Sequence, residues 1–249
     1  MTAVGAAPAR QAWLAQTRME LLLTLRRGES VLLTFLIPVV LLAFFAKVDV
    51  LPTGTGDPVD FLFPGVLALA IMSTALVSVA IATGFERQMG VLKRLGSTPL
   101  TRRQLLGAKT AAVVVIEVLQ VAVLVVEGLL LGFRLGGGAL GVALLAAVLA
   151  TAAFAGIGLL MAGTLPALTT LAAANGLYLL LLLVSGMIIP LEKLPSGLEA
   201  LAKLLPSTAL AEVFHQALNG RSVGAQPLVV LAVWAVAAPL AAARWFRWE

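Results

Sequence analysis

Six stretches of this 249-residue chain, approximately 31–50, 61–83, 105–132, 137–163, 167–190 and 227–243, are strongly apolar, and each is near the roughly 20 residues that carry a helix across about 30 Å of hydrocarbon. The second and fourth hold no charged residue at all. The first has Pro38 mid-run and Lys47 near its end, where a lysine snorkels outward, and the last carries Pro239. A membrane barrel would instead show strand-length segments of alternating polarity, and none is present. With 61% hydrophobic and 12% charged residues, too little polar surface remains to cover a water-soluble domain of this length. The expected fold is therefore an all-α integral membrane protein, one permeating bundle over 1–249. No cysteine is present, which excludes disulfides and thiolate metal sites. The excess of basic residues lies between apolar runs rather than beside an aromatic reading surface, so no nucleic-acid partner is expected.

The basic residues orient the bundle. Placing both termini on one side puts Arg10, Arg18, Arg26, Arg27, Arg87, Lys93, Arg94, Arg102, Arg103, Lys109, Arg244 and Arg247 together, twelve of the 17. By the positive-inside tendency that side is the cytoplasm, and the expected location is the cell membrane, multi-pass, with both termini inside. Asp49, Asp57 and Asp60 fall on the opposite side beside Lys47. The first apolar run is delayed to residue 31, so a cleavable signal peptide is not expected. Residues 9–29 instead read as an interfacial amphipathic helix. Leu14, Leu21 and Leu25 align with Trp13 and Leu22 beside them, while Glu20, Arg26 and Arg27 lie away from that line. At the other terminus Trp245 and Trp248 with two arginines read as an interfacial anchor.

Between the second and third apolar runs stands a charged island, "GFERQMGVLKRLGSTPLTRRQ", over 84–104. Phe85, Met89 and Leu92 fall on one helical stripe, which predicts a short helix broken at Gly96. Pro99 then imposes a turned approach. Thr101 and Gln104 have the spacing of a capping box, so the third span starts there. A loop that only fixed orientation would need the charge but neither the stripe nor the breaks. The island reads as a docking element for another protein.

Two further regions carry polar residues in unusual places. In 190–225, Ser196 and Glu199 have capping-box spacing for a short helix that Pro206 ends, and a second helix from about Thr208 stops at Asn219-Gly220. Both are too short to cross, and they read as an external re-entrant hairpin dipping into the outer leaflet. His215, the one histidine, reads as a structural residue of that hairpin. Inside the third run, Glu117, Gln120 and Glu127 share a helix face, which must point at protein or water because a carboxylate in lipid costs several kcal/mol. Two readings stand side by side: a polar strip lining a translocation path, or bonding between helices, for instance to Asn175. No catalytic or metal constellation is found. The nearest approach to a phosphate loop, "LLGAKT", has Ala108 where a glycine is required, and H-E-x-x-H and paired aspartates are missing.

The run "ERQMGVLKRLGSTPL" and the later "GMIIPLEKLPSGLEALAKLLPSTALAEVFHQAL", in that order and position, resemble the type-2 family of ATP-binding-cassette exporter permeases. The resemblance implies six spans, the interfacial helix, and a coupling helix between spans two and three that meets an ATPase subunit. Carried onto this sequence, the coupling residues are Glu86, Arg87, Gly90, Leu92, Lys93, Arg94, Leu95, Thr98, Pro99 and Leu100. It further implies two permease copies as a homodimer in lipid, with ATP and Mg bound by the partner ATPase and not by this chain. Glu117, Gln120 and Asn175 are the expected substrate-pathway residues. The largely aliphatic walls point to a hydrophobic or amphipathic drug- or antibiotic-like cargo, with a lipid-linked glycan as the alternative. Outside that class, a secondary transporter or structural membrane subunit is the competing reading. It would call for internal repeats, which the two halves of the chain do not display.

Overall fold

The computed structural model describes residues 9–26, 28–48, 58–98, 100–136 and 139–247, and among them no strand occurs. Arg27, Asp49, Asp57, Pro99 and Trp248, named above, lie outside the described residues. Helix α1 (Ala9–Arg26) is followed by α2 (Gly28–Lys47) and α3 (Pro58–Met72). A π-helical segment, Ser73–Ser78, joins α3 directly to α4 (Val79–Gln88), so that the helix before it and the helix after form one rod. Then come α5 (Val91–Gly96), α6 (Arg102–Leu130), α7 (Leu140–Thr164), α8 (Ala167–Val184), α9 (Ser196–Ala202), α10 (Pro206–Leu218) and α11 (Ala225–Trp245).

By length and composition, five helices among the described residues suffice to cross a membrane: Pro58–Gln88, Arg102–Leu130, Leu140–Thr164, Ala167–Val184 and Ala225–Trp245. The segment expected as the first span is helical as α2, and its apolar part, Thr34–Lys47, is shorter than these. The rod is the hub of the bundle, with 72% of its most apolar window buried against 22–44% in the other four. A helix apolar all round belongs inside, and the α3 sequence is of that kind. Around it α7 offers small residues, Ala146, Ala150, Ala153 and Gly156, that admit close backbone approach. At Gly156 a Cβ would stand 2.5 Å from the Pro239 nitrogen, so α11 seats on α7 only because no side chain intervenes.

The two ends of the bundle differ. At one end α10 is buried among α3, α7 and α11. There Gly136 N–H donates to the Leu218 carbonyl at 2.8 Å, and Asn219 Nδ2 donates to the Asp60 carbonyl at 2.9 Å. At the other end α5, the last residues of α11 and the start of α6 share a second apolar cluster of Leu92, Leu105, Leu159 and Phe246. The charged island and the α9–α10 segment thus sit at opposite ends of the bundle.

The hairpin's local chemistry departs from expectation. Ser196 makes no capping bond; Pro195 stands at the N-cap, its carbonyl accepts from Leu198 and Glu199, and Glu199 pairs with Lys203 at 2.6 Å instead. Pro206 does not end α9, which stops at Ala202, but begins α10, where its missing N–H is no loss. Asn219-Gly220 does terminate α10, with Gly220 in the left-handed region. His215 stacks on Phe61 at 4.6 Å and faces the Gly186 carbonyl at 3.3 Å, a structural placement.

Candidate functional site

The island is built as a rigid corner. Helix α4 runs on to Gln88, and Gly90, at φ 70°, turns the chain through a conformation that side chains resist. Helix α5 ends at Gly96, where the break was expected, but the additional break at Gly90 divides the expected stripe: Phe85 belongs to α4, Met89 is 63% exposed, and Leu92 is fully buried. Leu92 pins α5 onto Leu105 and Phe246. The end of α5 is closed by hydroxyls, Ser97 Oγ donating to the Arg94 carbonyl at 2.7 Å and Thr98 Oγ1 to the Leu95 carbonyl at 2.6 Å. Thr101 and Gln104 then form the expected capping box, with the Gln104 N–H donating to Thr101 Oγ1 and the Thr101 N–H donating to Gln104 Oε1.

The expected coupling residues divide into an outer and an inner set. Lys93, Arg94 and Thr98 are exposed, beside Met89 and Val91, and form a cationic surface with apolar patches. Leu95 and Leu100 are half-buried against the second cluster. Arg87 is turned inward, its guanidinium donating to the Leu165 carbonyl in the α7–α8 turn. Glu86, expected among the coupling residues, is buried behind this surface rather than exposed with Lys93 and Arg94.

What Glu86 meets is a group that sequence reasoning assigned to the basic cytoplasmic set. Lys109 Nζ donates to Glu86 Oε2 at 2.5 Å and to Glu20 Oε2 at 2.8 Å, and Gln16 Nε2 donates to the other Glu20 oxygen at 2.8 Å. Lys109 is 4% exposed and each glutamate 7%. Three helices, α1, α4 and α6, are thereby clamped directly behind the corner that carries α5. Glu20 does not lie on an outward polar face of α1. Gln16 and Glu20 lie against the bundle, and Leu14, Leu22 and Leu25 are exposed on the other side of the helix. The available signal was a lysine inside an apolar run, which must find a counter-charge.

Along α6 the polar face does point inward. Thr151 Oγ1 on α7 donates to Glu117 Oε2 at 2.5 Å. Gln120 accepts from Thr74 Oγ1 at 3.0 Å and donates to the Thr34 carbonyl at 2.8 Å, tying α6 to the π segment and to α2. Both Glu127 oxygens are buried with no hydrogen-bond partner among the described residues. Asn175 is not brought to this face; it is exposed and bonds the Leu171 carbonyl of its own helix at 2.8 Å. Glu117 thus bonds to α7 through Thr151, and its other carboxylate oxygen is buried with no hydrogen-bond partner among the described residues.

The family described as ABC-2 type transporter matches residues 11–219 of the chain, a stretch that contains all but the first two residues of α1, the corner, the clamp and α10. No curated protein matches it.

Proposed function

The chain belongs to the ABC-2 type transporter family, and on that premise we propose that it is the permease subunit of an ATP-driven exporter of a hydrophobic or amphipathic small molecule. The observation that carries the reading is the corner. A surface of Lys93, Arg94 and Met89 stands out from the bundle on a helix anchored by the fully buried Leu92. Force applied to α5 from outside reaches the spans through two rigid links, the Leu92 cluster and the Lys109 clamp on Glu20 and Glu86. A flexible loop would dissipate that force.

In this reading a separate cassette ATPase grips α5, binds ATP and Mg, and supplies the energy; this chain by itself hydrolyses nothing. Helix α2 completes a six-span layout in the cell membrane, the α5 end faces the cytoplasm with both termini, and α9 with α10 covers the outer end. Two copies form the transport unit, and multidrug efflux is the activity to assay. The test is charge reversal at Lys93 and Arg94 in the chain co-expressed with its cassette ATPase. The expected result is loss of both co-purification and ATP-dependent dye efflux at an unchanged melting temperature, because both side chains are exposed. If co-purification and efflux both survive, α5 is not the coupling surface and the reading fails.

A further inference from the structure

A cavity of about 290 Å³ opens within the single chain, between α1 and α2 on one side and the α4 half of the rod with α6 on the other. Its α6 wall is the stripe Lys109, Ala112, Val113 and Ile116, a run of about 10 Å at the α-helical rise. Val77, Ile81 and Ala82 make the opposite wall apolar, and Ser78, which is exposed, marks the open side. The inner end is polar: Glu20 and Lys109 of the clamp line it, with Thr24 and Thr83.

The hydrogen-bonding character of that polar end is one-sided. Thr24 Oγ1 donates its proton to the Glu20 carbonyl at 2.9 Å and so presents lone pairs to that end; at the far end of the cavity Thr74 Oγ1 donates to Gln120. The Glu20 carboxylate accepts only. Lys109 is the single cation among the described lining residues, and its ammonium is already directed at two carboxylates. One lining group is left over. Thr83 Oγ1 is buried, on a residue 1% exposed, and has no hydrogen-bond partner among the described residues. A buried hydroxyl without a partner carries a cost that a bound ligand removes.

We infer that this cavity is a binding site for a small amphiphile with a primary ammonium head, the head donating to Glu20 and Thr83 and the apolar body lying along Val113, Ile116 and Ile81. An acceptor-lined pocket with a carboxylate at its inner end selects a donor-rich cation, and the aliphatic walls select its tail. As a statement about cargo it rests on the permease reading. As a statement about binding it stands on the chain alone.

The full chain in lipid nanodiscs is titrated with dansylcadaverine, whose arm ends in a primary ammonium. The comparison probe is dansyl-6-aminohexanoate, which carries the same fluorophore on a similar arm ending in a carboxylate. Saturable, blue-shifted emission above that of empty nanodiscs reports entry into the cavity. The ammonium probe is expected to bind about tenfold more tightly than its counterpart. Thr83→Val, which keeps the shape and removes the hydroxyl, is expected to weaken the ammonium probe about fivefold. The same change leaves the melting temperature of the ligand-free protein undiminished, since the hydroxyl has no protein partner to lose. Glu20→Gln narrows the preference between the two probes. Equal affinity for both probes overturns the site, as does an unaltered affinity in Thr83→Val. Dye efflux with the cassette ATPase, measured alongside, separates the two readings: efflux without ammonium preference sinks the site alone, and ammonium binding without efflux sinks the permease reading alone.

Discussion

Replacing Lys109 with methionine removes the one ammonium shared by Glu20 and Glu86 while keeping the length of the side chain. Its two contacts, at 2.8 and 2.5 Å, each amount to a gross attraction of roughly 6 kcal/mol at an effective dielectric of about 20. Most of that is offset by the cost of taking three charges out of water. What survives in comparable cases is the penalty of stranding the remaining charges, about 3–5 kcal/mol when one member of a buried pair is deleted. For a chain of this size each kcal/mol moves the melting temperature by about 2–4 °C, so Lys109→Met is expected to melt roughly 6–20 °C below wild type. The loss should be local to α1. Trp13 rests on α6 beside Gly107, with its indole nitrogen 3.3 Å from where a Cβ there would stand, so its emission shifts red as α1 lifts. Pairing the change with Glu20→Gln should cost less than the sum of the two, with about 1–3 kcal/mol of coupling. A single variant that melts within about 2 °C of wild type, with Trp13 emission unmoved, would show that the clamp does not hold α1.

Three smaller perturbations probe other joints. Thr101→Ala deletes the capping box at the start of α6 and is expected to cost about 1 kcal/mol, read as a denaturation midpoint shift without change in slope. Gly156→Ala places a methyl 2.5 Å from the Pro239 nitrogen and 2.7 Å from the Ala238 carbonyl carbon, backbone atoms that cannot swing aside; about 1–3 kcal/mol of overpacking should appear in the thermal melt. His215 is held well below the ordinary imidazole value, at about 4, chiefly by burial, with the Gly186 carbonyl opposing and Arg221 assisting. Its neutral form is therefore the one the fold favours: the stability it contributes is present above about 6.5 and is lost as pH falls toward about 4. Melting temperature should drop across that window in wild type and less in His215→Phe.

Local chemistry was the legible part of this molecule. Thr101 and Gln104 cap a helix through atoms three residues apart, and Asn219-Gly220 ends one through its own backbone preference, so both could be read along the chain. Apolar runs long enough to span were equally visible, because hydropathy averages over many residues. Contacts made at a distance were not. Period alone puts Glu117 on the inward face of α6, yet nothing in it says that α7, with Thr151, stands opposite rather than α8 with Asn175. Glu20 and Lys109 are 89 residues apart, and an acidic residue on a short amphipathic helix reads as solvent-facing until the helix has something to lean on. At the island the break at Gly96 was legible, but the one at Gly90 was not: its positive φ lets Leu92 reach the apolar cluster beneath it, a contact the sequence does not display.

The π segment in the middle of the rod sets a phase. A stretch wound at one residue more per turn advances the chain without the usual rotation, so α4 emerges turned by about 100° from where an uninterrupted α-helix would have carried it. The outer half of the rod is keyed to Phe133 and Leu181 in the main apolar cluster, the inner half to Lys109 and Leu105, and the two keyings agree only because the offset lies between them. Any chimera that grafts the outer half of one such rod onto the inner half of another must therefore carry Ser73–Ser78 intact. A cut that dropped one residue there would leave every apolar position apolar and every span long enough, and would still point Glu86 away from its lysine.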